Sequence, residues 1–571
     1  MTTPTWRSDR QWLSKIQPWC ARHPNWTLTF IVLAALAPFL AKPFNIDEPL
    51  FLWTARQIQA HPANPYGFDV NWYGFAMPMS AVTKNPPLAC YYLALAAKIF
   101  GWGETGLHTA FLLPALAAIL GTCRLARRLC TWPLLASLVT LFTPVFLISA
   151  TTVMCDVAML AFWMWAVVFW LEGMEQDYPW KLTLAGLLIG LAALTKYYGV
   201  CLIPLLAAYG LIDRRRPGWW IIRLLIPLAM LFVYQLATVM LYGHPLVASA
   251  TNYVTSMKGF YESSHISAAV AGLTFTGGCL AVVFFFAPVL WRTRLLAVFA
   301  GVVVLISIAM LGIRMMTKNY HLTQSVTGPF MEMQIIFWAI GGAWVLALTL
   351  AEIRYRRDAR SWLLGLWMFG TFLFAAFFNW ITSGRSLLPL APAVGILLVR
   401  QLERNILADR KSWPFAVVIV LAAGAVLAWL TARADFQLAD AVRQSARQVW
   451  AKYGRTGKPL WFQGHWGFQY YMEAQGALAL DFKLSLVKPG EHLASPRNNT
   501  NLLPPNPKKV TLRETLTVPG PAWLTTWNET IGAGFYASVW GPLPFAFGRV
   551  PPEGVAVFDF GPQPRPAQIP Q

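Results

Sequence analysis

Asn45-Ile46-Asp47-Glu48-Pro49 follows directly on an apolar run, at about residues 26–41, and opens a hydrophilic insert that closes in Lys84-Asn85-Pro86-Pro87-Leu88. Two adjacent carboxylates at the end of such a run stand at a bilayer boundary, where ionised groups persist only if they are solvated, paired or put to use. That boundary makes the first run a membrane span and the insert an outer loop.

The rest of the chain fits a membrane setting. Of 571 residues, 57% are hydrophobic and 12% charged, 28 are tryptophan, and the mean hydropathy is +0.48. Soluble domains carry roughly a quarter charged residues, so the composition predicts an α-helical polytopic membrane protein. A net charge of +20 would point to nucleic acid in a soluble chain. Here most Lys and Arg lie in short tracts between apolar runs, which makes the charge a topology signal and argues against a nucleic-acid partner. The seven cysteines end at Cys279 and show no CxxC spacing, which argues against a disulfide or zinc framework. The basic segment with Arg7, Arg10, Lys15 and Arg22 precedes a run whose length, and the acidic pair it positions, favour an uncleaved anchor over a signal peptide.

Further apolar runs fall near residues 107–123, 132–150, 157–171, 182–194, 198–212, 219–241, 268–290, 295–313, 330–350, 362–381, 387–399 and 414–430, giving about thirteen spans. With a cytoplasmic N-terminus, the basic tracts at Arg124/Arg127/Arg128, Lys181, Arg214/Arg215/Arg216, Arg292/Arg294, Arg354/Arg356/Arg357/Arg360 and Arg404/Arg410/Lys411 all fall inside. The same threading carries Asp47, Glu48, Asp156, Lys196, His244, Arg385 and everything after Arg433 to the opposite side.

The outer loop at residues 43–106 has its own structure. Residues 49–58 place Leu50, Trp53, Thr54 and Gln57 on one helical face with Phe51 on its flank, which predicts an interfacial helix with Trp53 at headgroup level and Arg56 toward phosphate. Pro62, Pro65, Gly67, Gly74 and Pro78 then break the chain. Residues 88–100 are apolar but too short to span, and predict a second interfacial helix.

Asp156 stands at a tight turn between two spans, either as a helix cap or as a second carboxylate opposite Asp47, and the two readings are compatible. Lys196, with Arg56, Lys84, Lys258, Arg314, Lys318 and Arg385, lies on the outer side against the positive-inside trend. Singly, each reads as a snorkelling anchor. Together, facing carboxylates, they predict a rim for a lipid phosphate. His244, His265 and His321 could join Asp47 or Asp156 around a divalent metal, but with no HExxH or i,i+4 pair the interfacial reading is simpler.

After Arg433 the composition changes. Helical spacing at 435–453, strands at 459–462, 509–512 and 555–558, and a helix at 466–474 predict a small α/β extracytoplasmic domain at 433–571, beside a membrane domain at 1–432. Gly464-His465-Trp466-Gly467 and Gly532-Ala533-Gly534-Phe535-Tyr536 read as core and turn, or as sugar-stacking surface. No nucleophile triad or phosphate-cradling glycine loop is visible.

The Asp-Glu pair at the membrane exit, the helix with Ala55-Arg56 and the Pro-Pro-Leu opening of a second helix ending at Gly101 together resemble the first outer loop of GT-C glycosyltransferases. The nearest group is that of the protein mannosyltransferases and aminoarabinose transferases. Asp156, Thr195-Lys196-Tyr197 and Ser383-Gly384-Arg385-Ser386-Leu387-Leu388-Pro389 extend the resemblance over most of the membrane half. Asn85 stands where many relatives carry Lys or His, and Ser386 where they carry Tyr.

The resemblance implies inverting transfer of a sugar from a polyprenyl-phosphate donor to an acceptor hydroxyl or phosphate, on a glycan, lipid or protein, at the outer face of the inner membrane, with the C-terminal domain periplasmic. In that scheme Asp47 is the base, Glu48 or Asp156 orients the acceptor, and Lys196 and Arg385, assisted by Arg56 or Lys84, hold the lipid phosphate. No cofactor beyond an optional divalent metal is implied. The competing class is an envelope lipid or glycan transporter or flippase, but that class predicts charges near span centres and repeated halves, whereas here the charges gather at one face.

Overall fold

The computed structural model describes residues 23–260, 264–291, 301, 328–409 and 414–561. The expected span at 295–313 lies outside them apart from residue 301, as do Arg7, Arg10, Lys15, Arg22, Arg292, Arg294, Arg314, Lys318, His321, Arg410 and Lys411.

Helix dominates the membrane half, as it must where no water is at hand to satisfy backbone amides. Among the described residues six helices are long and apolar enough to cross a bilayer: Glu104–Leu129, Cys155–Gln176, Trp219–Tyr242, Gly328–Arg356, Ala359–Phe378 and Phe415–Tyr453. Pro133–Leu141 and Pro144–Ala150 form a further apolar pair bent by 66°, a broken span or a re-entrant loop. The bend has a local cause, since Pro144 lacks the N–H that would continue the helix and the Thr143 side chain accepts the Phe146 N–H to start a new one. Pro24–Phe39, Leu88–Phe100 and Pro179–Thr195 are apolar but shorter.

Fewer spanning helices than the thirteen expected are found among the described residues, which leave out most of 295–313, and several apolar runs are not continuous helices. The run at 268–290 divides into His265–Cys279, Ala281–Phe285 and Ala287–Leu290, and the run at 198–212 begins as a 3-10 turn, Tyr197–Cys201. Such breaks are tolerated where the freed backbone is buried in protein rather than facing lipid, and Leu280 to Val283 are fully buried.

The first outer loop forms the two expected helices, Glu48–Ala60 and Leu88–Phe100, with a small hairpin of Asp69–Asn71 and Ala76–Pro78 between them. The first helix turns differently from expectation. It buries Phe51, Leu52, Ala55 and Ile58, while Trp53 packs edge-on against Trp72 at 6.3 Å and lies 6.4 Å from Tyr470. Tyr470 belongs to the C-terminal region, so the helix is roofed by protein on a side that the sequence suggested would meet headgroups.

The last long helix, Pro414–Val449, runs unbroken through position 433, so one rigid element carries the chain from the bilayer into the C-terminal region. That region holds a mixed five-stranded sheet in the order Leu478–Ala479, Leu460–Phe462, His492–Pro496, Glu553–Phe560, Val510–Val518. The first three strands are parallel and the remaining pairings antiparallel. His492–Pro496 is the central strand, and its sequence, HLASP, carries little apolar alternation to announce it.

Candidate active site

The segment before Asp47 is fixed from several sides. The Phe44 N–H donates to the Tyr471 hydroxyl (2.9 Å), and Asn45 Oδ1 accepts from the Gly467 N–H (3.3 Å). Gly467 is required there, since a Cβ would fall 2.4 Å from the Phe44 carbonyl oxygen. Glu48 accepts the N–H of Asn45 on one oxygen (2.7 Å) and that of Val153 on the other (2.8 Å). It thereby ties the outer loop to the turn that precedes Asp156. Burial, opposed by Lys42 and the two amides, pushes its carboxyl up to about 7. Ile46 has φ +51°, a left-handed conformation that a β-branched residue rarely adopts, and the next side chain, Asp47, lines a cavity of about 660 Å³.

Two ion pairs face this cavity. Asp47 meets Arg385 at 2.7 Å and Asp156 meets Lys196 at 2.6 Å. Asp156 is almost wholly buried, and its second oxygen has no hydrogen-bond partner. Asp156 opens the helix Cys155–Gln176 but does not cap it, the cap position being Met154. Lys196 reaches across because the helix Pro179–Thr195 ends in extended backbone at that residue.

Arg385 sits on a single helical turn, Gly384–Leu387, started by the Ser383 side chain, which accepts the Ser386 N–H. Burial disfavours its charge, but Asp47 and Asp156 outweigh this and hold its pKa above the ordinary arginine value. Lys84 also lines the cavity; its ammonium donates to the Ala81 carbonyl (2.6 Å), lies 4.8 Å from the Tyr253 ring, and has its pKa lowered by burial. The remaining wall is largely aromatic and aliphatic, including Tyr66, Tyr197, Val247, Phe374 and Trp380.

The C-terminal region reaches the same cavity. The Gly384 N–H donates to the Phe535 carbonyl (2.7 Å), and Tyr536 places its ring 5.6 Å from the Arg385 guanidinium. The Tyr536 hydroxyl donates to Asp435 (2.8 Å), which also accepts from Thr526 (2.6 Å) and pairs with Lys42 at 2.5 Å, both members of that pair being buried. Lys42 and Asp435 were not singled out from the sequence, and Tyr536 was, but as core, turn or sugar-stacking surface rather than as a partner of Arg385. One signal was present: Lys42 is another cation at the outer end of a span, against the positive-inside trend.

Asp47, Asp156, Lys84, Lys196 and Arg385 therefore come together, and the other candidates do not. Arg56 lies outside this cavity, its guanidinium over the rings of Trp102 (5.0 Å) and Tyr470 (5.8 Å), because its helix turns a different face to the protein. Glu48 does not line the cavity either, since both of its oxygens are occupied by backbone amides. Lys258 donates to the Phe377 carbonyl away from the carboxylates. His244 lies beside Ser249 (3.1 Å) and His265 is exposed at a helix start, and neither lines the cavity. Among the described residues no three His, Cys, Asp or Glu side chains gather as a metal site, and Asp47 and Asp156 each already hold a cation. The residues present thus do not fit a metal held by Asp47, Asp156, His244 and His265.

Residues 84–242, from the Pro-Pro-Leu segment through Asp156 and Lys196, match the family model of dolichyl-phosphate-mannose-protein mannosyltransferases. The match covers less than a third of the chain. Several solved structures show distant similarity. The oligosaccharyltransferase of Archaeoglobus fulgidus, tethered to an acceptor peptide, has 13% identity and a TM-score of 0.48 over 81% of this chain, which spans 64% of that protein. ArnT of Cupriavidus metallidurans, bound to undecaprenyl phosphate, has 14% identity and a TM-score of 0.46, covering 95% of this chain and 98% of that one. The mycobacterial arabinofuranosyltransferase AftD has 12% identity and a TM-score of 0.43, over 95% of this chain and 40% of that one. No curated protein sequence matches significantly. The matched segment covers two of the four charges in the ion pairs, Asp156 and Lys196.

Proposed function

We propose that this glycosyltransferase moves a sugar from a polyprenyl-phosphate donor to an acceptor hydroxyl or phosphate on a glycan, lipid or protein, with inversion, at the outer face of the inner membrane. The observation that carries the reading is the pairing of Asp47 with Arg385 and of Asp156 with Lys196 in one cavity with an apolar wall. A buried cation needs a counter-ion, and in each pair the carboxylate fills that place until a phosphate arrives. When the donor phosphate enters, Arg385 and Lys196 turn to it, with Lys84 beside them, and Asp47 is freed to face the acceptor.

The acceptor oxygen then attacks the anomeric carbon as the bond from that carbon to the phosphate oxygen breaks. The acceptor proton passes to Asp47, and the electron pair leaves with the lipid phosphate, whose added negative charge the cations stabilise. Asp156, with one oxygen free, orients Lys196 and the acceptor. A phosphate leaving group needs no protonation, which suits a site where Arg385, Lys196 and Lys84 are at hand to take up its charge. The unit at 1–432 contributes this site and the unit at 433–571 closes it through Tyr536. The N-terminus would be cytoplasmic and the C-terminal unit periplasmic.

The test is reconstitution of the full chain with a labelled polyprenyl-phosphate sugar and envelope acceptors, beside a matched nucleotide sugar. Label should move from the lipid donor, with release of polyprenyl phosphate and inversion at the anomeric carbon. Transfer from the nucleotide sugar alone, or from no donor, would overturn the proposal.

A further inference from the structure

At the end of the helices remote from the cavity, a separate pocket of about 300 Å³ is walled by Asn25, Arg124, Arg127, Trp165, Phe169 and Glu172, with Leu120 and Val168 deeper along the helices. It lies sixteen residues beyond Asp156 on the helix Cys155–Gln176, about 24 Å away at the α-helical rise. Three helices form it: Pro24–Leu36, Glu104–Leu129 and Cys155–Gln176.

Its polar end carries surplus positive charge. Glu172 is shared by Arg124 (2.7 Å), Arg128 (3.2 Å) and Lys181 (2.8 Å), and Glu175 by Arg128 and Arg360. The carboxylates are thus outnumbered, and among the described residues Arg127, exposed, pairs with no carboxylate; its guanidinium donates to Asn25 Oδ1 at 2.6 Å. The other end is apolar. Trp165 and Phe169 meet at a tilt with ring centroids 5.7 Å apart, Phe169 meets Trp180 at 6.5 Å, and Trp26, Phe30 and Trp180 are exposed, the composition of a membrane–water aromatic belt.

We infer that this pocket holds the phosphodiester headgroup of an anionic glycerophospholipid of the arginine-side leaflet, with Arg127 and Arg124 on the phosphate and the acyl chains along Leu120 and Trp165. The charge surplus selects an anion, and the apolar wall continuous with the headgroup end selects a lipid over a free phosphate ester. Asn25 fixes Arg127 in place, and the carboxylate of Glu172 is already neutralised by its three cations, so it does not repel the lipid. The site is independent of the transfer chemistry.

Native mass spectrometry of the full chain, titrated with phosphatidylglycerol or phosphatidylcholine, tests it. One phosphatidylglycerol should bind more tightly than phosphatidylcholine. Arg127→Gln should weaken it roughly fivefold, the worth of one basic residue near an anionic surface, and Arg127→Lys should restore most of it. Arg127 is exposed, so the variants should fold, and an unchanged melting temperature without added lipid would verify this. Equal retention of the two lipids, an unaltered affinity in Arg127→Gln, or displacement of the lipid by water-soluble glycerol phosphate at similar concentration would each overturn the inference. Sugar transfer plays no part in the readout, so its failure and a failure of the proposed activity are separable.

Discussion

Asp47 and Glu48 are neighbours with different work. Asp47 faces the cavity and Arg385, whereas Glu48 faces inward and fastens two backbone amides. Their titration separates them. Burial raises the Glu48 pKa from an ordinary value of 4.5 to about 7, so the folded chain holds that proton more tightly than the unfolded one. Its contribution to stability is full below about 4.5 and is lost as pH climbs through about 7. Thermal unfolding in detergent should therefore show a falling melting temperature between pH 5 and 8, and Glu48→Gln should flatten that slope. A slope unchanged by the substitution would contradict this role. At the cation side, Lys196→Gln should weaken donor binding and leave Asp156 buried without its partner, a loss of about 3–5 kcal/mol for a broken buried pair at most. Lys196→Arg should recover part of the binding. Isothermal titration with a polyprenyl phosphate would measure both.

Single elements hold these residues in place. Ile46 sits at φ +51°, and a glycine accepts that conformation without steric cost. Ile46 is buried, so Ile46→Gly loses about 2–5 kcal/mol of packing and regains only about 1–3 kcal/mol of strain, and the melting temperature should drop by the difference, leaving the chain folded. Transfer should nevertheless fall, because the backbone that aims Asp47 is no longer confined. Parallel melting and transfer assays would show the split. Much of this scaffold was legible beforehand. The helix after Asp-Glu, the short helix after Pro-Pro-Leu and the gathering of Asp47, Asp156, Lys196 and Arg385 on one side of the bundle follow from apolar run lengths and the positive-inside pattern. The facing of Glu48–Ala60 did not follow, because amphipathicity reports which face is apolar but not whether lipid or a distant segment covers it. Tyr470, more than 400 residues away, covers this one. Lys42 and Asp435 were hidden for the same reason: a pair separated by 393 positions leaves no local periodic trace. The strand His492–Pro496 was missed because, buried at nearly every position, it does not alternate.

Across the whole molecule, the long helix Pro414–Val449 and the Lys42–Asp435–Tyr536 chain couple the C-terminal region to Arg385. Asp435→Ala strips the buried Lys42 of its counter-ion and should cost about 3–5 kcal/mol, while Lys42→Met with Asp435→Leu should recover most of that. Differential unfolding of the single and double variants would measure the recovery. The proposed orientation is open to the same directness. Leu486→Cys, strongly exposed in the C-terminal region, should react in intact cells with a membrane-impermeant maleimide that enters only the periplasm, and Arg215→Cys should react only after permeabilisation. The reverse pattern would invert the topology. All of these elements converge on one carboxylate, and the most direct measurement is transfer from a labelled polyprenyl-phosphate sugar by Asp47→Asn, alongside donor binding. Transfer should drop by about 10²–10⁴, the usual worth of a general base, with polyprenyl phosphate still bound. A variant that transfers sugar at the parental rate would contradict the account.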